Sequence, residues 1–342
     1  MDVSKIFRAV PPCLLALMLW GAMPTAWAAC TVRVKPGADL QKAIDALPAN
    51  GKPATLCLAA GQYPLQGLLS IDRSRLTVRG AGADTVLQMQ AGVMQPMLVI
   101  GDARNEIPDH VTSDVTVENM SLIGTAGDHE FMPERPWLSN SNIVVRRGEQ
   151  ITLRGLTVKT CRSACVLTER DTHDATISGN HISGAVWDGV SFNRSSQIHL
   201  LDNDISGNTA AGITTEHLTG SEIRRNTIHD NGSHGIYLSD SLDNQFTDNT
   251  ISGNRQAAVF LTCSIRDHDP QHVLCWDNSM SQGNLFEHNH LQHNQFGYSA
   301  GADSAANCAQ PGWRPNIWRD NDSDAPNHDP DPQRFGTCTR PQ

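Results

Sequence analysis

Asn-x-Ile recurs at Asn180, Asn203, Asn226 and Asn249, three intervals of 23 residues without drift. A fixed period of that length is the mark of a solenoid. Each copy continues through a polar turn into a short strand that opens on a small residue, as in Asp188-Gly189-Val190-Ser191-Phe192. Later copies read Ala211-Gly212-Ile213-Thr214-Thr215, His234-Gly235-Ile236-Tyr237-Leu238 and Ala257-Ala258-Val259-Phe260-Leu261. Alternation with period two sends Val190, Phe192, Ile213, Ile236, Leu238, Val259 and Leu261 to one side and Ser191, Thr214, Tyr237 and Phe260 to the other. One set is expected to fill a core and the other to meet solvent.

A unit this short, with three β segments and no helical periodicity, cannot bury its own apolar face, so it must stack on its neighbours as a coil of parallel strands. The chain thereby resembles the right-handed parallel β-helix repeat proteins, the group that includes pectate lyases, polygalacturonases, mannuronan epimerases and NosD-like periplasmic proteins. The resemblance covers Leu76 to Asn294. It implies an all-β fold, a single-stranded right-handed parallel β-helix with a short N-terminal capping helix. Weaker copies at Asn119-Met120-Ser121-Leu122, Gly155-Leu156-Thr157-Val158 and Asn289-His290-Leu291 extend the coil, with longer intervals where loops are inserted. Apolar spacing over Ala38 to Leu47 predicts the amphipathic helix that plugs the N-terminal end. The expected organisation is a signal peptide over 1–28, a cap with first strands over 29–75, repeats over 76–300, and a disulfide-stapled tail over 301–342. That tail lacks the repeat and is expected to cap the coil loosely.

Lys5 and Arg8, the apolar run from Cys13 to Met23, and Ala26-Trp27-Ala28 before Ala29 form a secretory signal. Of nine cysteines, Cys13 lies in that leader and eight remain. An even count in an exported chain points to disulfides. Pairing by proximity gives Cys30 with Cys57, Cys161 with Cys165, Cys263 with Cys275 and Cys308 with Cys338. No paired Cys-x-x-Cys motif supports zinc. With no second long apolar stretch, no membrane span is expected. The expected location is the periplasm or outside the cell, as a monomer. A net charge of −10 argues against nucleic acid and means that a polyanionic sugar would need a local basic site.

Residues at one repeat position stack in columns about 4.8 Å apart, so a site must come from such columns or from inserted loops. The asparagines read as a buried turn ladder bonding its own backbone. Two columns bordering the Gly-containing strand differ: Glu169, Arg194, His217 and Asp240 just past it, and Asp188, Ala211 and His234 just before it. The loops from Thr125 to Ser141 and from Cys263 to Gly283 reach the same sheet. They bring Glu134, Arg135 and Trp137, and His268, His272 and Trp276, with Trp187 at the edge. Aromatic rings beside fixed polar groups suit a sugar chain.

A lyase or C5-epimerase on a uronate polymer needs a cation on the carboxylate, a base for the C5 proton, and an acid. Arg194 could neutralise, His217 and Tyr237 could act as acid and base, and Asp240 could orient His217. Trp187, Asp188, His234, Glu216, Trp137, Arg135 and Trp276 would bind substrate. The bland alternative is an ion-pair ladder on a solvated face. Gly232-Ser233-His234-Gly235-Ile236 resembles the Gly-His-Gly element of polygalacturonases, and Trp187-Asp188-Gly189 their Asn-Thr-Asp-Gly strand. The rung between reads Ala210-Ala211-Gly212, without that family's paired aspartates. Asp267-His268-Asp269-Pro270-Gln271-His272 resembles the Asp-Pro-His-Asp element of mannuronan C5-epimerases, interrupted by Gln271; the alternative is a polar loop. Cofactor needs are open: Ca2+ could bridge a uronate to Glu169, Glu216 or Asp240, although no calcium-loop motif is present. No metal ligands are assigned, and His288, His290 and His293 on one rung could take copper or zinc. The expected function is therefore a polysaccharide-active lyase or epimerase. The alternative is a non-catalytic periplasmic scaffold in polysaccharide binding or export, or a NosD-like copper-site maturation factor.

Overall fold

The protein is described by a computed structural model covering residues 29–48, 51–127, 129–262, 265–269, 272–275, 281–301, 311–328 and 339–341, as backbone alone over 265–269 and 272–275. The chain winds as a parallel β-helix with three short strands per turn. One face carries Val166–Glu169, Val190–Ser196, Ile213–Thr219, Ile236–Ser239, Ala257–Thr262 and Phe296–Ala300. The second is built from strands such as Glu222–Arg224 and Gln245–Thr247, the third from strands such as Thr227–His229 and Thr250–Ser252. On every face a strand pairs in parallel with the one a turn later, so Ile213 meets Ile236, Ile223 meets Phe246 and Ile228 meets Ile251.

That register stacks the inward residues into apolar columns. The seven residues expected to face inward are all fully buried, while Ser191, Thr214, Tyr237 and Phe260 are partly exposed. Flat rings suit a column of this spacing: Phe246 and Phe286 stack at 4.8 Å with planes 10° apart.

The small residue that opens each strand has a steric cause. A methyl on Gly212 would lie 2.4 Å from Ile228 Cγ2 and 2.9 Å from both Asn231 Nδ2 and the Gly235 carbonyl oxygen. Gly189 and Gly235 meet the equivalent atoms of their own rungs. Gly212→Ala is therefore expected to lower stability by about 1–3 kcal/mol through overpacking, read as a shift of the urea midpoint at constant slope. A variant as stable as the parent would mean that the corner can re-space.

The asparagines do form a buried ladder, but they bond between rungs rather than to their own backbone. Each side-chain carbonyl accepts both the backbone N–H and the Nδ2 of the asparagine one turn earlier, at 2.9 to 3.0 Å along Asn203, Asn226 and Asn249. Two further ladders run beside it, one through Asn208, Asn231, Asn254 and Asn294 and one through Asn244, Asn284 and Asn316. Parallel strands leave each corner with backbone groups that no strand partner reaches, and the stacked amides satisfy them.

The coil is longer at both ends than Leu76 to Asn294. Val32–Val34 already pairs with Ala54–Leu58, and that strand with Leu76–Arg79. At the far end Asn316–Arg319 and Asp322–Ser323 continue the second and third faces, and Thr339–Pro341 adds another strand. The expected loose cap is thus further coil, with Asn316 and Asn321 as its ladder residues. The N-terminal helix spans Leu40–Asp45, capped by Asp39, whose carboxylate accepts the Lys42 N–H at 3.1 Å. Its Leu40 and Ile44 are buried against the first rungs, closing the core as expected. Cys30–Cys57 and Cys161–Cys165 are bonded; the other two expected pairs, like the expected signal peptide, fall outside the described residues and side chains. Among the described residues no helix is long and apolar enough to cross a membrane.

The insertion after Thr125 folds as a hairpin of Phe131–Met132 with Arg135–Ser139. Met132 and Leu138 pack on Val99, Val144 and Leu167, the outward residues of the first face, making a second small core outside the coil. The hairpin thus covers several rungs of that face and leaves a cleft on either side.

Candidate functional site

The cleft on the C-terminal side of the hairpin owes its floor to the outward positions of the first face: Leu167, Ser191 and Thr214, then Asn193 and Glu216. It encloses about 480 Å³. Glu130 and Phe131 of the hairpin form one wall, and Trp187 and Asp188, which precede the strand Val190–Ser196, form another. Phe131 and Trp187 are 46% and 45% exposed, unusual for large apolar rings. Two such rings at one polar cleft are the pairing that sugar binding needs.

Among the described residues the lining holds four carboxylates, Glu130, Glu169, Asp188 and Glu216, and neither lysine nor arginine. Burial lifts Asp188 to about 6, and the charges of Glu216 and Glu130 push the same way, against the Ala211 N–H and the Thr214 hydroxyl that its carboxylate accepts. The Ala211 bond is 2.9 Å. Asp188 therefore exchanges its proton close to neutrality. Glu216 accepts from Asn193 Nδ2 at 3.1 Å, which fixes its orientation. Glu169 is also raised by burial, partly offset by Arg146. Arg146 is committed: its Nε bonds Glu169 at 2.7 Å, and its terminal nitrogens donate to the carbonyls of Asp102, Asn105 and Glu106. It is a buried clamp on that loop, with no exposed surface for a substrate.

Beyond the floor stand three packed rings. His234 lies parallel to Phe260 with centroids 4.3 Å apart, and Tyr237 tilts against Phe260 at 5.4 Å. Burial pushes Tyr237 up to about 12, helped by the nearby charges of Glu216 and Asp188, so it keeps its proton. His234 Nδ1 accepts the Ala257 N–H at 3.2 Å, and burial pushes the ring down to about 4. Since the unfolded state takes up that proton first, this group's contribution to stability is present above about 6.5 and is lost as pH falls toward 4. His234→Gln is expected to flatten that limb of the stability–pH curve, measured as urea midpoints between those values; an unchanged slope would contradict the buried neutral ring.

The expected site residues separate. Trp187, Asp188 and Glu216 line the cleft, with His234 and Tyr237 next to it. Arg194, His217 and Asp240 do not line it. They occupy a bend at one repeat position, within the strands Val190–Ser196 and Ile213–Thr219 and just past Ile236–Ser239, with φ of 46°, 58° and 46°, where Arg170 and Arg147 sit one and two rungs earlier at 57° and 50°. A left-handed residue recurs there because the coil must turn, so the column follows from the bend. The register also parts Glu169 from this column: Glu169 follows Thr168, the partner of Phe192, and so stacks on Asn193 rather than Arg194. His217 Nδ1 stands 3.2 Å from Asp240 Oδ2 without the alignment of a hydrogen bond. Trp137 packs on the second core. Arg135 turns to the opposite cleft, donating to the Ala103 carbonyl at 2.7 Å. Trp276 and the side chains of His268 and His272 lie outside the described residues. Glu130 and Phe131 were missed, since nothing periodic marks which hairpin residues reach the sheet. Asn193 could have been found, standing 23 residues before Glu216.

Glu169, Glu216 and Asp240 do not form one ligand set. Among the described residues only Glu287, His288 and Asp320 bring ligand atoms within 4.8 Å of one another, and Glu287 is also held by Arg319. The three histidines of that rung are not gathered, since His290 pairs with Asp322 at 2.8 Å while His288 lies 3.8 Å from Asp320.

Residues 141–310 match the family model described as the right handed beta helix region. No curated protein matches the chain. Among solved structures, the A-module of the Azotobacter vinelandii mannuronan C-5 epimerase AlgE4 is similar over 87% of this chain and 97% of that one, with 15% identity and a TM-score of 0.53. An alginate lyase from Paenibacillus sp. str. FPU-7 is similar over 88% and 98%, with 13% identity and a TM-score of 0.57. The catalytic domain of a GH87 alpha-1,3-glucanase is similar over 94% and 70%, with 12% identity and a TM-score of 0.57. At these identities the likeness is one of fold, and function must be argued from the site.

Proposed function

Since the chain is a right-handed parallel β-helix repeat protein, we propose that it binds a polysaccharide across the outer face of its first sheet and cleaves a glycosidic bond in the acidic cleft. The observation that carries this reading is Asp188, held near 6 beside the Glu216 carboxylate in a cleft with Phe131 and Trp187 on its walls. Glycoside hydrolysis needs one carboxyl group that keeps its proton for the leaving oxygen and one ionised carboxylate for water or the anomeric carbon. Asp188 takes the first role and Glu216 the second. The two rings bind the apolar faces of the sugars, and the hydroxyls and amide of Ser191, Thr214 and Asn193 meet their polar edges. Structural neighbours named as an epimerase, a lyase and a glucanase support a polysaccharide as the substrate class. The two disulfides support an oxidising compartment, periplasmic or extracellular.

A second reading, elimination or C5 epimerisation of a uronate, draws on Tyr237, a proton-bearing phenol close enough to feel the charges of Asp188 and Glu216. It requires a cation to neutralise the substrate carboxylate, and among the described residues the cleft lining supplies no basic side chain. Ca2+ bound together with substrate would have to serve.

The test is a panel of neutral and uronate polysaccharides incubated with the disulfide-intact protein. New reducing ends without ultraviolet absorbance support hydrolysis. Absorbance of an unsaturated uronate, or exchange of the C5 proton seen by NMR, would replace it with the second reading. Silence on every polymer, with binding retained, would leave a non-catalytic scaffold.

A further inference from the structure

The cleft on the other side of the hairpin, about 920 Å³, lies between the end of the capping helix and the corners of the first rungs. Its electrostatics are the reverse of the acidic cleft. Arg73, Arg75, Arg104 and Arg135 line it against Asp45 and Asp72, a local excess of two positive charges in a chain of net −10. Three of these arginines are positioned without being neutralised. Arg73 donates to the Pro48 carbonyl at 3.0 Å, Arg75 to the Gly51 carbonyl at 2.9 Å and Arg135 to the Ala103 carbonyl at 2.7 Å. A carbonyl fixes the guanidinium but leaves its charge in place. Among the described residues only Arg104 has a carboxylate partner, Asp72 at 3.0 Å, and Asp72 is shared with His110 Nε2 at 2.6 Å. Among the described residues the buried Nε of Arg73 has no acceptor at all. A buried donor left unpaired is costly, and an incoming oxyanion would satisfy it.

We infer that this cleft binds the carboxylate or sulfate groups of an acidic oligosaccharide. The site is far too large for one inorganic anion and falls within the range of small-ligand pockets. Its cations also sit at different levels: Arg73 and Arg75 follow the strand Leu69–Ile71, Arg104 follows the strand paired with it one rung on, and Arg135 comes from the hairpin. Cations carried on successive rungs, whose strands are about 4.8 Å apart, suit a ligand that repeats its anionic groups rather than a single ion. The local basic site that a polyanionic sugar would need is therefore present, but away from the acidic cleft.

Calorimetric titration of the full, disulfide-intact protein with an oligogalacturonate, its methyl ester, and inorganic sulfate and phosphate tests this. The acid oligosaccharide is expected to bind, more weakly as salt rises, and the uncharged ester is not. Arg75→Gln and Arg104→Gln remove exposed side chains and should each weaken binding about tenfold or more, while Asp188→Asn leaves it unchanged. Binding that is equally tight for sulfate or phosphate would overturn the oligosaccharide as ligand. No binding, or binding indifferent to both arginine substitutions at an unchanged thermal midpoint, would overturn the site itself. Because Asp188 belongs to the other cleft, loss of turnover in its variant with retained titration separates the two sites.

Discussion

Asp188→Asn is expected to lower turnover on the responsive polysaccharide by about 10²- to 10⁴-fold, the usual worth of a positioned proton donor. The amide keeps the shape and one acceptor oxygen for the Ala211 N–H but has no proton to give. In the parent, activity should fall as pH rises through about 6, because burial holds the Asp188 proton up to that point; the residual activity of the variant should lose this limb. Stability moves in the same sense. A carboxyl raised from 3.8 to about 6 binds its proton more tightly when folded, so its contribution declines as pH climbs between those values. At roughly 1.4 kcal/mol per unit, and discounting for the side chain's opening to the cleft, the ionised group costs the native state about 1–3 kcal/mol at neutral pH. The variant should therefore melt no lower than the parent at neutral pH. Turnover retained in such a well-folded variant would remove Asp188 from the chemistry.

Asn226→Leu should lower stability by about 3–5 kcal/mol. Asn226 is 1% exposed. Its carbonyl accepts from Asn203 N and Nδ2 at 3.0 and 2.9 Å, and its amide donates to the Leu200 carbonyl at 2.8 Å and to Asn249 Oδ1 at 3.0 Å. Leucine matches the volume, leaves the buried Asn203 N–H without its acceptor and takes one donor from the Leu200 carbonyl. Thr250→Ala, on an exposed position of the third face, should stay within about 0.5 kcal/mol. Equal urea midpoints for the two variants would show that the ladder carries no stability of its own.

The interval of Asn180, Asn203, Asn226 and Asn249 was enough to place the core. A residue in a stacked coil contacts its equivalents one turn away, so covalent spacing alone decides that Ile213 and Ile236 are neighbours and that Thr214 and Tyr237 face out. The capping helix and the pairs Cys30–Cys57 and Cys161–Cys165 were legible for a similar reason, being local in sequence. The further coil at Asn316 was hidden because its interval of 32 residues breaks the period, although the amide bond to Asn284 is the same.

The site was legible only where it lies on the repeat. Trp187, Asp188, Glu216, His234 and Tyr237 could be set near one another by counting, but a single residue of register separates Glu169 from Arg194 and leaves Arg194, His217 and Asp240 at a bend. The hairpin obeys no period. Its course is decided by Met132 and Leu138 finding Val99, Val144 and Leu167, an apolar contact between segments distant in sequence. That one contact delivers Glu130 and Phe131 to the acidic cleft and Arg135 to the basic one. The coil, its core and the outward columns follow from spacing alone, because nearest-neighbour stacking converts spacing directly into contact. Where the two clefts lie and what charge each carries depend on how an aperiodic insertion packs across the sheet, which no local interval encodes.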